Sequence, residues 1–160
     1  MIDFATLLNT LGDNEVEFII VGGLAANVHG SARFTDDLDV VYRRTPENIA
    51  RLVDAMRPLN PYLRGAPLGL PFDWSAATVQ AGLNFTLTCS AGAIDFLGEI
   101  AGGGSYDTLV AHTSKVPLFG HQPLVLDLPW LIHVKRAAGR RKDLEAIAEL
   151  EVIQALDRDR

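Results

Sequence analysis

The chain has a single cysteine, Cys89, so it can form no internal disulfide and no Cys-based zinc cage. A reducing cytoplasm is the compartment that this usage fits. It has no long apolar run, and its longest are far short of a membrane span. Its first residues, MIDFATLLNTLGDNE, lack a basic region ahead of an apolar stretch and do not read as a signal peptide. Positive charge is not in excess either. Fourteen Lys and Arg stand against 20 Asp and Glu, giving a formal net charge of −6, so there is no general electrostatic pull towards nucleic acid. An RNA substrate would need a local basic patch. Repeats, low-complexity tracts and linkers are missing. The four histidines show no metal-ligand spacing, and no Ser-His-Asp arrangement can be drawn. What is there suits one ordinary domain: 160 residues, 48% hydrophobic and 21% charged. The expectation is a single domain over residues 1–156 with a frayed tail at 157–160.

The pattern is mixed α and β. Phe4, Leu7, Leu8 and Leu11 recur at helical spacing and predict a helix over 3–11. Val16–Val21 is apolar and rich in β-branched residues, a buried strand ended by Gly22 and Gly23, with a short helix from Leu24 to His29. Asp37–Tyr42 alternates as a strand, and Thr45-Pro46-Glu47 opens a helix that runs to about Met56. Residues 58–72, with four prolines and two glycines, read as a long loop. Strands are expected at 84–88 and 93–97, and two short ones on either side of Gly120. From Pro129 the chain reads as helical, bent at Gly139. This gives an α+β (mixed α/β) class, a central mixed sheet packed by helices.

Side chains on a strand alternate, so Asp37 and Asp39 share a side, roughly 7 Å apart along the backbone. Two acids so placed either sit exposed on an edge strand or hold a hard cation between them. Asp95 favours the second: it interrupts the apolar run Ala93-Ile94-Asp95-Phe96-Leu97, where a buried charge is costly without a partner. Asp73 and Asp127 sit where helix N-caps would be expected. Asp36 reads as a turn residue.

Gly22 and Gly23 permit a tight turn and close approach of a phosphate to backbone N–H groups, although diglycine turns are also common as plain structure. The segment lacks the Gly-Lys-Ser/Thr ending of a P-loop and the third glycine of a dinucleotide turn. Lys135 falls on the helical side of Leu128, Leu131, Ile132 and Ala138, where a lysine either snorkels to the rim or reaches an anion. Arg140-Arg141-Lys142 is the one local basic cluster, a phosphate contact or solvated helix charge.

Taken together, Val21-Gly22-Gly23-Leu24-Ala25-Ala26, His29-Gly30-Ser31 and Thr35-Asp36-Asp37-Leu38-Asp39-Val40 resemble the signature of the DNA polymerase beta-like nucleotidyltransferase superfamily. Among its small bacterial branches the chain looks most similar to the AbiEii/MenT type. The resemblance implies that Asp37 and Asp39 would hold two Mg²⁺ ions and that Asp95 would complete the site and help activate the attacking hydroxyl. It implies that Gly22 and Gly23 would cradle the triphosphate of an NTP, with Arg33 and Thr35 near its oxygens. Lys135, with Lys142 or Asp143, would match the lysine and Lys-Asp positions of that branch. The turn is Gly-Gly where the family often has Gly-Ser, and Ser31 would have to supply the missing hydroxyl. The implied activity moves an NMP to a hydroxyl on RNA, a protein or a small molecule, releasing pyrophosphate. The alternative is a weak or inactive nucleotide-binding module within a toxin–antitoxin or regulatory complex. A chain this short leaves little room for a separate acceptor domain, which suggests a partner protein or a homodimer. No membrane partner is expected.

Overall fold

The computed structural model describes residues 1–159. Helix α1 (Phe4–Asp13) starts at Asp3, whose carboxylate accepts the Thr6 N–H at 3.0 Å. Strand β1 (Phe18–Val21) leads directly into α2 (Gly22–Val28), and β2 (Asp37–Tyr42) into α3 (Pro46–Met56). Then come β3 (Tyr62–Leu63), α4 (Ala76–Ala81), β4 (Phe85–Cys89) and β5 (Gly92–Leu97). The short α5 (Tyr106–Leu109) precedes β6 (Thr113–Lys115) and β7 (Leu124–Leu126), and α6 (Leu128–Ala138) and α7 (Arg141–Arg158) close the chain.

All seven strands form one sheet in the order β3-β4-β5-β2-β1-β7-β6. It is mixed: β2 runs parallel to β5 and antiparallel to β1, and β1 runs parallel to β7. The expected class, a mixed sheet packed by helices, is what forms. Leu38, Val40, Ile94 and Phe96 fill one face, where Trp74 stacks near Phe96 and donates from Nε1 to Val53 O of α3 at 3.0 Å. Opposite them, Asp39 and Leu97 look towards Leu131, Val134 and Lys135 of α6. Asn48 is fully buried at the start of α3. It accepts the Glu17 N–H at 2.7 Å and donates to Glu17 O and Arg43 O, which ties the entry of β1 to the exit of β2.

Several expectations need correction. Strand β1 is shorter than Val16–Val21, because Val16 N–H closes a turn onto Leu11 O and Glu17 N–H is taken by Asn48. Helix α2 begins on the glycines themselves, not at Leu24. Residues 58–72 are not all loop: a 3-10 turn at Arg57–Leu59 precedes β3, which pairs with β4. Ser75, not Asp73, caps α4. Asp127 does occupy the N-cap position of α6, but its carboxylate accepts Ser114 Oγ–H instead. Helix α7 runs to Arg158, past the expected start of the tail, and residue 160 lies outside the described residues. Gly139 at φ +67° ends α6 in the left-handed conformation that glycine adopts freely. Among the described residues no helix is long and apolar enough to cross a membrane.

Candidate functional site

The parallel pairing of β2 with β5 sets Asp37 beside Ala93 and Asp39 beside Asp95. Strand alternation then turns all three carboxylates to one face. One oxygen from each lies within 4.8 Å of the other two. Such a cluster repels itself. Burial pushes the Asp39 carboxyl up to about 7, and the charges of Asp37 and Asp95 add to it. Asp37 is raised for the same reasons, burial first and Asp95 next, with Arg64 acting against them. Asp39 Oδ1 is buried and has no hydrogen-bond partner among the described residues, an arrangement proteins rarely leave standing without a role.

The diglycine turn is fitted to this cluster. Gly22 has φ +68°, and a Cβ there would lie 2.2 Å from Asp39 Oδ2. A Cβ on Gly23 would lie 2.5 Å from Thr35 Oγ1, and that hydroxyl donates to Asp37 O at 3.2 Å. The missing side chains therefore make room for the second acid and for the threonine that steadies the first.

Lys135 is half-buried on α6. Burial lowers its pKa, while Asp143 and Asp39 work to keep it charged. Asp143, only 2% exposed, accepts from Arg140 Nε at 2.7 Å, from Nη2 at 3.2 Å and from the Arg140 backbone N–H. Burial would raise this carboxyl, but the Arg140 hydrogen bond and the charges of Arg140 and Lys135 outweigh it and hold it low. The basic cluster is thus divided among three tasks. Arg140 clamps Asp143, Arg141 stands 96% exposed beside Glu145, and Lys142 lines the site.

One cavity of about 400 Å³ brings together Gly22, Gly23, Ser31, Arg33, Thr35, Asp37, Asp39, Asp95, Lys135 and Lys142, while Arg141 of the basic cluster lies outside it. A second, mainly apolar cavity of about 200 Å³ joins it at Gly22, Asp39 and Lys135. Ser31 departs from its expected part. Its hydroxyl donates to Glu149 Oε1 at 2.5 Å and accepts the Arg33 N–H, so it organises the cavity wall and is not free for a phosphate.

Sequence reasoning missed Arg64. It follows β3, and its Nη2 donates to Asp95 Oδ1 and to Leu87 O, both at 2.8 Å, while Nη1 stands 3.8 Å from Asp37 Oδ2. A two-residue strand inside a proline-rich segment carries no periodic signal that could have pointed to it.

No protein-family model matches the chain, and no curated protein matches it by sequence. Solved structures do. A candidate nucleotidyltransferase from Thermotoga maritima, TM1012, superposes with a TM-score of 0.54 at 14% identity, covering 100% of this chain and 97% of that one. ANT(2″)-Ia in complex with adenylyl-2″-tobramycin gives 0.53 at 13% identity over 96% and 94% of the two chains. The solution structure of the same antibiotic-resistance factor gives 0.52 at 14% identity over 96% and 88%. The chain has the nucleotidyltransferase fold.

Within a nucleotidyltransferase fold the acid cluster fits a hard divalent cation. Its donors are all oxygen, they converge from two adjacent strands, and one of them has no hydrogen-bond partner among the described residues.

Proposed function

We propose that this chain is a divalent-metal-dependent nucleotidyltransferase, transferring an NMP from an NTP to a hydroxyl acceptor. The observation that carries the reading is the convergence of Asp37, Asp39 and Asp95, with an orphaned Asp39 oxygen, beside a turn cleared of side chains. Those three carboxylates would hold the metal, with Mg²⁺ the ion of choice and two ions the expected number. When bound, it neutralises triphosphate charge and lowers the pKa of the acceptor hydroxyl. The chain's own residues do the positioning. Gly22 and Gly23 let Asp39 and Thr35 close up against the turn at the start of α2, where the triphosphate would be held, and Lys135 brings an amine whose charge Asp143 and Asp39 favour. Arg33, Thr35 and Lys142 supply cationic and hydroxyl groups around the same cavity. Asp95 takes the acceptor's proton as the acceptor oxygen bonds to the α-phosphorus and the bond to the bridging oxygen breaks, releasing pyrophosphate. Little covalent work falls to the protein in such a transfer.

The acceptor is an RNA end, a protein hydroxyl or a small molecule. The net charge of −6 weighs against RNA, and ANT(2″)-Ia bound to an adenylyl-tobramycin provides a precedent on this fold for the small molecule. The sequence pattern favours the AbiEii/MenT-type branch, working in the cytoplasm with a partner protein or a second copy.

Arg64 favours a second reading. A guanidinium on Asp95 and near Asp37 competes with any cation there, as expected of a weak or inactive nucleotide-binding module in a toxin–antitoxin or regulatory complex. Calorimetry with each NTP, with and without Mg²⁺, tests the site. Binding should require Mg²⁺ and disappear in Asp37→Ala; binding that ignores both overturns the proposal. Transfer of α-phosphate label to acceptors in a cell extract separates the two readings, since Mg²⁺-dependent binding without transfer supports the module.

A further inference from the structure

The acid cluster stands between two unlike surroundings. On one side lies the cavity that holds Gly22, Gly23, Arg33, Lys135 and Lys142. On the other the sheet continues outward, and its register carries one line of residues across four strands. Asp39 of β2 lies beside Asp95 of β5, Asp95 faces Thr86 of β4, and the Arg64 N–H at the end of β3 donates to Thr86 O at 3.0 Å. Residues opposite each other on neighbouring strands share a face. Thr86 and Thr88 therefore lie on the face of the acids, while Leu87 between them is buried in the core. Both threonines are exposed, so this part of the sheet is an open polar floor that leads up to Asp95.

Arg64 stands at the outer edge of that floor and does not line the cavity. The main chain fastens its guanidinium: Nε donates to Leu87 O at 3.2 Å and Nη2 to the same oxygen at 2.8 Å. Nη2 also donates to Asp95 Oδ1, but Nη1 makes no hydrogen bond among the described residues and stands 3.8 Å from Asp37 Oδ2. Phosphoryl transfer runs roughly in line, with the attacking and leaving oxygens on opposite sides of phosphorus. On the chemistry proposed above, on which this rests, pyrophosphate leaves among the cations of the cavity. The acceptor then arrives from the opposite side, over Thr86 and up to Asp95, the carboxylate that takes its proton. The cation on that approach is Arg64.

We infer that the acceptor carries a phosphate close to its reacting hydroxyl, and that Arg64 binds this phosphate. A divalent ion on the three acids takes over the neutralisation of Asp95 and Asp37. That turns N–H groups of Arg64 to a new anion, while Leu87 O keeps the guanidinium in place. A planar fork of donors suits a phosphate. A neutral alcohol would leave the charge unanswered, and an ammonium group would be repelled by it. A small phosphorylated alcohol and the terminal nucleotide of an RNA both offer this chemistry.

Calorimetry tests it on the full chain, saturated with Mg²⁺ and a non-reacting α,β-methylene analogue of the NTP. The probes are three related alcohols of different charge: glycerol phosphate, glycerol and aminopropanediol. Glycerol phosphate should bind at least about tenfold more tightly than glycerol, the scale of one charge-assisted contact. Aminopropanediol should bind no more tightly than glycerol. Arg64→Gln keeps an amide for Leu87 O but removes the charge, and should cancel the advantage of the phosphate. Circular dichroism verifies that this variant folds, and the ranking in the unaltered chain stands without it. An RNA trinucleotide with a free terminal hydroxyl separates the two sources: tighter binding than glycerol phosphate assigns the acceptor to RNA, weaker binding to a small molecule. Equal affinity for all three alcohols overturns the inference, as does a phosphate preference that survives Arg64→Gln in a folded chain. An analogue that binds without Mg²⁺, or not at all, takes the proposed transferase down as well. Analogue binding that needs Mg²⁺, joined to indifference to phosphate, sinks the acceptor assignment alone.

Discussion

Replacing Asp39 by Asn should make the chain more stable in chelator above neutral pH, while abolishing its Mg²⁺-dependent NTP binding. The carboxyl has an ordinary value of 3.8 and is pushed up to about 7 by burial and by its two acidic neighbours. Holding the charged form in the folded chain then costs on the order of 4 kcal/mol. The folded chain binds more protons than the unfolded chain between about pH 4 and pH 7, so stability falls as pH rises through that window and the full cost is present above it. Asn keeps the shape and removes the charge, so the gain should be near zero at pH 4 and approach that ceiling at pH 8. For a domain of this size it amounts to roughly 10 °C in Tm. Thermal melts in chelator at pH 4.5 and pH 8 measure it. An Asn variant that melts no higher than wild type at pH 8, or gains equally at both values, would refute the electrostatic reasoning. Residues that destabilise a fold in exchange for a function are a common signature of active sites.

Gly22→Ala should lower stability by at least about 1 kcal/mol in urea titration, because its Cβ would lie 2.2 Å from Asp39 Oδ2 on a backbone at φ +68°; the same variant should lose metal-dependent NTP binding. Arg64→Ala should tighten Mn²⁺ binding about fivefold at low ionic strength, read by paramagnetic resonance, since it removes a competing cation contributing about 1 kcal/mol. Unchanged affinity would mean that Arg64 does not compete. Asn48→Ala should cost about 3 kcal/mol in chemical denaturation by stranding the Glu17 N–H and the Arg43 carbonyl and leaving the Glu17 carbonyl only its bond from the Arg43 N–H, with NTP affinity unaltered because the residue lies away from the cavity.

The parts of the fold that could be read from the sequence are those with a local physical signature. Strand β2 and the start of α3 fall where alternation and the Thr-Pro pair set them. Asp95 stood out because a lone charge in an apolar run demands an explanation, and the register that pairs it with Asp39 supplies one. Arg64 was illegible because its placement depends on a two-residue strand whose only support is pairing with β4. The basic run at 140–142 read as one patch, yet the left-handed Gly139 and the restart of the helix send its three side chains in different directions. Ser31 looked like a substitute hydroxyl because Glu149, far along the chain, could not be foreseen as its partner.

Since Asp39 and Asp95 occupy one rung of adjacent parallel strands, the site is indexed in whole residues. An insertion of one residue between Gly92 and Asp95 would turn the third acid to the opposite face of the sheet and Phe96 out of the core with it, so the site and the packing of β5 are lost together. Segments outside that ladder, such as the stretch from Ala66 to Asp73, carry no such constraint. Changes of length there leave the Asp39–Asp95 rung in place.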